Sequence, residues 1–388
     1  MAILTSTTAA ALGLLLAAFQ RWLHMPDTDA LEIVLGSYAA NRLPGDAVWL
    51  MLVGPSSGGK GEILNSLTAL PFIHPVGTLT ESALLSGVKD KERASDSHGG
   101  LLREMGEFGI LHLKDFTSVL SMPRETRASV LAALREIYDG AWTRRLGVDG
   151  GKRLDWRGKM GLIAGVTEAI DSHHGVMADM GPRFMLYRLP PVDAAEQARS
   201  ALSSSGHEEQ MRQELRSAVS KLFGMLAGAL SNPEPYSLGA EDASWLVALT
   251  EFATRCRSSV ERHPYTREIL LVPQPEAPAR LTKSAARLLA GLSTIGVEPG
   301  RRRKLIRKSL LDCIPPVRRH AIDYLAQSPG DTGIGRIAKS ARLPEQTVRT
   351  ALQDLQCHGV VAESSDGLKS WTIAPRWEKH IRAAYGEL

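Results

Sequence analysis

The apolar residues of this 388-residue chain fall into short continuous runs that alternate with stretches of helical spacing. The clearest run is AVWLMLV at residues 47–53, which ends at a glycine, and further runs cover residues 109–113, 160–166 and 184–189. Continuous runs of this length are typical of strands that are buried on both faces of a parallel sheet. Because helical stretches separate the runs, the pattern predicts an α/β fold with a parallel sheet.

Helical spacing accounts for most of the remaining chain. Residues 1–45 are predicted to form helices with a break at Pro26, and residues 61–70 form the helix after the first strand. The chain is again predicted to be helical over residues 194–311, with a proline-rich break at residues 272–278. At this length the chain exceeds one ordinary core, so two or three domains are expected.

The composition is that of a globular protein, with 44% apolar and 23% charged residues. The three cysteines, Cys256, Cys313 and Cys357, lie far apart and include no CxxC pair. This spacing excludes a disulfide framework and a cysteine zinc site, and it fits a reducing cytoplasm. We therefore expect a cytoplasmic protein in which all three thiols are buried.

One apolar segment, residues 9–19 (AAALGLLLAAF), raises the question of a signal or membrane helix. No positive charge precedes it, and Gln20, Arg21 and His24 follow closely. The segment is also shorter than the roughly 20 apolar residues that span a bilayer. It is therefore predicted to be a buried helix, with no membrane as a partner.

The net charge of +4 is unevenly distributed. Residues 301–388 contain 16 Lys and Arg against 9 Asp and Glu, whereas the preceding residues are slightly acidic. A basic C-terminal part on a slightly acidic body suggests that one end of the protein meets a polyanion.

Residues 54–61 (GPSSGGKG) carry the strongest chemical signal. They match G-x-x-x-x-G-K at Gly54, Gly59 and Lys60, and they lie between a predicted strand and a predicted helix. In such a loop the backbone N–H groups surround phosphate oxygens, and the lysine reaches the terminal phosphates. The loop predicts binding of ATP or a close relative, and a glycine-rich turn with a solvated lysine is the alternative. The candidate nucleotide-binding residues are Gly54, Pro55, Ser56, Ser57, Gly58, Gly59, Lys60, Gly61 and Glu62.

Position 61 departs from the motif, because it is Gly where Ser or Thr would place a hydroxyl on Mg²⁺. Ser57 or a water molecule is a candidate replacement, and weak metal binding is the alternative. ATP and Mg²⁺ are the expected cofactors, and the missing hydroxyl bears on hydrolysis and not on nucleotide binding.

Polar residues follow the later strands. Asp115 stands just after the apolar residues 110–113, where an acidic residue holds the metal or activates water, although a solvated strand end beside Lys114 is the alternative. Thr167 ends the next strand, where a polar side chain is placed to contact the γ-phosphate. Arg183 begins the strand after that, and a guanidinium is what a phosphoryl-transfer site recruits from a neighbouring subunit.

The basic C-terminal part has a pattern of its own. The predicted elements are three helices, at residues 317–325, 334–342 and 344–358, and two strands, at residues 359–361 and 368–373. This order and spacing predict a winged helix-turn-helix that binds DNA, with a protein-binding winged helix as the alternative. The preceding basic run RRRKLIRK favours nucleic acid. The candidate DNA contacts are Gln346, Thr347, Arg349 and Lys369.

The order of these motifs resembles AAA+ ATPases, with PSSGGK followed by LKDFTSVL, a polar-ended strand and GPRFMLYRLP. The Arg-Phe strand is similar to the arginine-finger strand of the minichromosome-maintenance helicases, and the motifs are similar to helicase-like proteins of phages and mobile elements. The resemblance covers the chain from about residue 30 to its end. It implies a P-loop core with a helical lid, ATPase activity and a homo-oligomeric ring or filament, with a hexamer expected.

The resemblance also implies roles and domain boundaries. Lys60 would be the Walker A lysine, and Asp115 would be the Walker B acid and metal ligand. Thr167 would be sensor one, Arg183 the trans-acting finger, and Arg280 or Lys283 sensor two. The N-terminal helical segment would occupy residues 1–45 and the AAA+ ATPase core residues 46–193. The helical lid would occupy residues 194–312 and the winged-helix domain residues 313–388.

A basic hairpin is predicted in AWTRRLGVDGGKRLDW, with its turn at Gly150 and Gly151. In a helicase ring of the kind resembled, a hairpin before sensor one lines the channel and holds the DNA backbone, for which charge and reach suffice. A solvated surface hairpin is equally economical. The candidate DNA-binding residues on its arms are Arg144, Arg145, Lys152 and Arg153.

Together these patterns predict an ATP-dependent motor that acts on DNA, a helicase or replication initiator of a phage or mobile element. One alternative is an ATP-switched transcription or transposition regulator, which would bind a specific duplex without unwinding it. Another is a loader or scaffold that binds nucleotide without turnover, and Gly61 is the reason to consider it.

Overall fold

The computed structural model of the chain describes residues 2–86, 99–145, 153–328, 332–364 and 370–386. The chain forms two compact units. Unit 1 comprises Met1–Ile170, Tyr187–Pro235 and Arg287–Arg303, and unit 2 comprises Asp171–Leu186, Tyr236–Ala286 and Lys304–Leu388. The limits of the two units do not coincide with the domain boundaries predicted from the sequence, because residues 187–235 and 287–303 belong to the same unit as the first helices. The four-part division stays a prediction.

The helices and strands of the first half are α1 Ala2–Trp22, α2 Asp29–Arg42, β1 Trp49–Val53, α3 Lys60–Asn65, β2 Ile73–Val76, α4 Glu81–Leu84, α5 Leu101–Met105, β3 Phe108–Leu113, α6 Thr117–Leu120, α7 Arg124–Tyr138, β4 Ala141–Arg145, β5 Arg153–Arg157, β6 Lys159–Val166, α8 His174–Asp179 and β7 Phe184–Arg188. Those of the second half are α9 Ala194–Ser203, α10 Glu208–Met225, α11 Ala227–Ser231, α12 Ala240–Arg257, β8 Glu261–Arg262, β9 Ile269–Leu271, α13 Ala279–Thr294, α14 Pro299–Asp312, α15 Pro316–Gln327, β10 Thr332–Gly333, α16 Ile334–Ala341, α17 Glu345–Cys357, β11 Val361–Glu363, β12 Ser370–Ile373 and α18 Glu378–Tyr385. Two 3₁₀ helices cover Glu168–His173 and Pro375–Trp377.

The centre of the fold is a five-stranded parallel sheet in the order β2-β3-β6-β1-β7, which confirms the predicted α/β class. Val53 of β1 is paired with Val166 of β6, and Leu113 of β3 is paired with Ala164 of β6. Every residue of β1 is buried, as are nearly all residues of β3 and β6. Burial on both faces explains the continuous apolar runs in the sequence.

Two features beside the sheet differ from the sequence prediction. The helix after the phosphate loop ends at Asn65, not at residue 70, because the Ser66 hydroxyl donates to the Ile63 carbonyl at 2.7 Å and the Thr68 hydroxyl donates to the Asn65 carbonyl at 2.8 Å. Such side-chain bonds compete with helix continuation. Strand β2 was missed because it is a short edge strand of four residues that includes Pro75.

The N-terminal helix α1 is buried along one face only. Leu12, Leu15 and Phe19 are at most 5% exposed, whereas Leu14 is 76% exposed. The expectation of a buried helix is therefore right for one face and wrong for the other. Among the residues that the structure describes, no helix is both long enough and apolar enough to cross a membrane.

A buried ion-pair group joins α2 to α14 within unit 1. Asp29 and Glu32 are 3% and 1% exposed, and both form ion pairs with Arg301, with Nη2 2.8 Å from Asp29 Oδ1 and Nε 2.7 Å from Glu32 Oε2. Carboxylates at such depth need charged or hydrogen-bonding partners. Arg301, the first residue of the basic run, thus has an internal partner set that the sequence did not indicate.

Unit 2 contains the three predicted C-terminal helices as α15, α16 and α17, followed by the antiparallel sheet β10-β12-β11. Asp354 of α17 is bound by two arginines, with Oδ2 2.8 Å from Arg318 Nη2 and Oδ1 2.8 Å from Arg262 Nη2. Arg262 belongs to β8, which pairs with β9 in a stretch predicted to be helical. Cys256 and Cys313 are buried as predicted, but Cys357 is half-buried, so that expectation was wrong for one thiol.

The ends of β3 and β6 approach so closely that position 165 excludes any side chain. A Cβ on Gly165 would lie 2.6 Å from the backbone oxygen of Lys114. We expect Gly165→Ala to lower the free energy of unfolding by about 1–3 kcal/mol, because backbone must shift to admit the methyl group. Urea denaturation measures the loss.

The matched control for this substitution is Gly224→Ala in α10, where a Cβ would meet no described atom within 4 Å. That change should be neutral or stabilising by up to about 1 kcal/mol, since Ala favours helix. Equal effects of the two substitutions would contradict the close approach of β3 and β6.

A buried histidine on β3 makes stability depend on pH. His112 is 3% exposed, and burial, with a smaller effect of Lys114, lowers its pKa to about 4. The pKa in the unfolded chain is about 6.5, so between these values the unfolded state binds the extra proton and stability falls with falling pH. From pH 7 to pH 5 His112 should account for a loss of about 2 kcal/mol. Urea denaturation of His112→Leu at both pH values should show a pH dependence that is smaller by this amount. An unchanged pH dependence would contradict a lowered pKa of His112.

Candidate nucleotide-binding site

The loop at residues 54–59 is anchored at its start by the strands beside β1. The Gly54 N–H donates to the Val166 carbonyl at 3.2 Å, and the Leu189 N–H donates to the Val53 carbonyl at 2.8 Å. Gly59 has φ of 81°, in the left-handed region that glycine favours, and it caps α3. The loop therefore leads directly into the first turn of α3, where N–H groups have no partner within the helix.

Lys60 folds back over this loop. Its Nζ donates to the carbonyls of Gly54 at 2.6 Å and Pro55 at 2.5 Å. Burial lowers the pKa of Lys60, and the nearby carboxylates of Asp115 and Glu168 act in the opposite direction. The ammonium group is thus held at the start of the loop, within electrostatic reach of the residues that follow β3 and β6.

A hydrogen-bonded chain joins those two strand ends. Asp115 Oδ1 accepts from the Thr117 N–H at 2.9 Å, and Thr117 Oγ1 accepts from the Thr167 N–H at 3.2 Å and lies 3.1 Å from Thr167 Oγ1. The predicted residues Asp115 and Thr167 are therefore linked through Thr117 at the carboxyl edge of the sheet, and Lys60 lies within electrostatic reach of Asp115.

Thr117 is the residue of this hydrogen-bonded series that the sequence analysis did not identify. Its hydroxyl lies two residues beyond the acidic strand end, but its partner Thr167 is 50 residues away in the sequence. The signal available was a hydroxyl in an Asx-type turn, and only the pairing of β3 with β6 brings that hydroxyl to Thr167.

The side chains at this edge provide an incomplete set of ligands for Mg²⁺. Gly61 offers no hydroxyl, and one oxygen of Asp115 already accepts from the Thr117 backbone. The described part of the chain contains no group of three or more His, Cys, Asp or Glu side chains that could hold a metal ion. Mg²⁺ in nucleotide sites is commonly held by one or two carboxylates, water and the substrate phosphates, so without a hydroxyl at position 61 this edge offers it one ligand fewer than the motif supplies.

Glu62, predicted to contact nucleotide, forms an ion pair with Arg212. Arg212 of α10 places Nη2 2.9 Å from Glu62 Oε1, and its Nε lies 3.2 Å from Oε2. This pair lines a cavity of about 430 Å³ that also includes Lys114. Arg212 was not identified from the sequence, because nothing in the spacing relates α10 to the loop.

The two arginines predicted for subunit and sensor roles belong to unit 2. Arg183 is 6% exposed, and its Nη1 donates to the Met180 carbonyl at 2.7 Å. A finger that acts on a neighbouring subunit would have to leave this contact. Arg280 is exposed at the start of α13, as the sequence indicated. Both roles stay predictions.

The predicted hairpin is present as the antiparallel pair β4 and β5, in which Arg145 is opposite Arg153. Its turn and Lys152 lie outside the described residues. One face is buried through Trp142 and Trp156. The other face is exposed and carries Arg145 and Arg153, so the hairpin presents its polar face to solvent.

Two of the hairpin's arginines have partners within the unit. Arg144 Nη1 donates to the Leu85 carbonyl at 2.7 Å, and Nε of Arg153 lies 2.8 Å from Asp155 Oδ1. For Arg145, the described residues supply no ion pair, and the side chain is exposed. The charge available to a polyanion is therefore smaller than the sequence suggested.

On α17, Gln346 and Thr347 are exposed and Arg349 is half-exposed. Lys369 lies outside the described residues. Further basic side chains are exposed on the preceding helix and turn, at Arg336, Lys339 and Arg342. No protein-family model matches the chain, and a search of curated proteins finds no significantly similar sequence.

Proposed function

We propose that this chain is a P-loop ATPase of the AAA+ type that binds ATP at residues 54–61 and acts on DNA. The observation that carries the proposal is the link of Asp115 to Thr167 through Thr117 at one edge of a parallel sheet, with Lys60 of the loop within electrostatic reach of Asp115. Ligands of α/β sheets bind outside the carboxyl ends of the strands, where this edge lies.

In this proposal Lys60 exchanges the carbonyls of Gly54 and Pro55 for phosphate oxygens when nucleotide enters. The first N–H groups of α3 bind the same phosphates. Asp115, held by the Thr117 backbone, accepts a proton from the water that attacks the γ-phosphorus, and Thr167 orients that water from β6. The products are the nucleoside diphosphate and inorganic phosphate.

The DNA-binding part of the proposal concerns unit 2. The order α15, α16, α17 followed by β11 and β12, with β10 completing a small antiparallel sheet, supports a winged helix-turn-helix. The exposed residues at the start of α17 are those that such a fold offers to a DNA groove. A helicase or replication initiator, assembled as a ring or filament in the cytoplasm with Arg183 acting in trans, is the form that the sequence resemblance implies.

A second candidate function is favoured by one specific observation. Without a hydroxyl at position 61 the site lacks a metal ligand, which favours a loader or scaffold that binds nucleotide with little turnover. Steady-state ATPase assays with and without DNA separate this function from a motor.

The proposal is tested first at Lys60. We expect Lys60→Ala to abolish binding of a fluorescent ATP analogue, because the phosphate-directed charge is lost. The melting temperature should change little, since the ammonium contacts only loop carbonyls. Lys221→Ala, an exposed lysine on α10, is the matched control and should bind like the wild type. Undiminished affinity in Lys60→Ala would refute the phosphate-loop assignment.

DNA binding is tested on α17. Arg349→Glu should weaken duplex binding, and it should reduce the slope of log affinity against log salt by about 0.9 for each phosphate that the protein no longer neutralises. The control is Lys379→Glu on α18, which makes the same charge change at an exposed position outside the proposed recognition helix. Equal losses for the two variants would mean that net charge, and not α17, determines binding.

A further inference from the structure

We propose that Lys114 replaces the divalent cation at the phosphate loop, so that this chain binds nucleotide phosphates without requiring Mg²⁺. The inference rests on the proposed function, since it concerns the same loop. It explains two departures from the motif together, namely Gly61 in place of a hydroxyl residue and a lysine directly before the strand-end acid.

The first observation is spatial. A Cβ built on Gly61 would have Lys114 Cε at 4.0 Å, and apart from its chain neighbours and the backbone of its own helix no other atom of the described residues lies within 4 Å. The side chain of Lys114 therefore borders the space that a Ser or Thr side chain at position 61 would enter. The metal-binding hydroxyl is absent at the point where a second lysine is present.

The second observation is that the backbone of Lys114 is fixed. The Phe116 N–H donates to the Gly165 carbonyl at 2.7 Å, and the Lys114 carbonyl occupies the space beside Gly165. The Lys114 side chain is exposed, but it starts from a rigid strand end and lines the same cavity as Glu62. Its position relative to α3 is thus set by the sheet.

The third argument is electrostatic. Asp115 and Glu168 both act on Lys60, so the loop faces two carboxylates. Lys60 alone leaves these groups with a net negative charge, which repels a polyphosphate unless a cation accompanies it. Lys114, beside position 61, adds one positive charge and brings the formal charge of Lys60, Asp115, Glu168 and Lys114 to zero, while Glu62 and Arg212 neutralise each other. An ammonium group is a compact point charge and a common phosphate ligand.

The test uses the full-length protein and a fluorescent ATP analogue, titrated with excess Mg²⁺ and with excess EDTA. We expect the wild type to bind with affinities that agree within about threefold in the two media. Lys114→Met keeps the aliphatic length without the charge, and it should bind about tenfold or more weakly in EDTA, with a smaller loss in Mg²⁺. Lys221→Met is the matched control and should behave like the wild type.

A second variant tests the same idea from the other side. Gly61→Ser restores the hydroxyl, and a Cβ has room there. Combined with Lys114→Met, it should give binding that needs Mg²⁺. Wild-type binding that is lost in EDTA and is unaffected by Lys114→Met would overturn the inference while leaving the phosphate site intact. Absence of binding in both media would overturn the proposed function itself.

Discussion

The close approach of the backbones at the ends of β3 and β6 is the constraint on which the site depends. Gly165 has no side chain because the Lys114 carbonyl occupies that space, and its own carbonyl accepts from the Phe116 N–H at 2.7 Å. This contact fixes where the chain leaves β3. It thereby determines the positions of Lys114 and Asp115 on one side and of Thr167 on the other. A shift of one residue in the pairing would separate them.

Buried ion pairs stabilise each of the two units separately. Arg301 forms ion pairs with two carboxylates of α2 in unit 1, and Asp354 is held by Arg318 and Arg262 in unit 2. Removing one partner of such a group leaves a buried charge unpaired, which is more costly than the loss of an exposed pair. Several basic residues that look free in the sequence therefore serve the fold, and fewer remain for a polyanion.

The phosphate loop also has few positive charges that are not balanced by nearby carboxylates. Lys60 is partly buried and faces Asp115 and Glu168, so its environment is already shared between cation and anions before any nucleotide enters. A site of this kind depends on additional positive charge to admit a polyphosphate. In most P-loop proteins that charge comes from Mg²⁺ held in part by a hydroxyl at the position of Gly61. In the proposal made above, Lys114, which lies beside position 61, supplies it.

Sequence alone determined the parallel sheet and the phosphate loop. Continuous apolar runs report burial on both faces, and the spacing of Gly54, Gly59 and Lys60 is a local requirement of phosphate binding. The three C-terminal helices were likewise readable from local periodicity and turn residues. The short strands β2 and β8 were not, because neither shows a clear alternation; β2 is formed by pairing with the distant β3, and β8 is a two-residue strand paired with the nearby β9.

Tertiary structure decided which distant side chains meet. The contact between Thr117 and Thr167 depends on the register of β3 with β6, and the ion pair of Arg212 with Glu62 depends on where α10 packs. Neither of these two contacts produces a periodic pattern in the sequence. A pattern along the chain reports the environment of each residue, whereas a pair contact is a property of two segments whose relative position only the folded backbone sets.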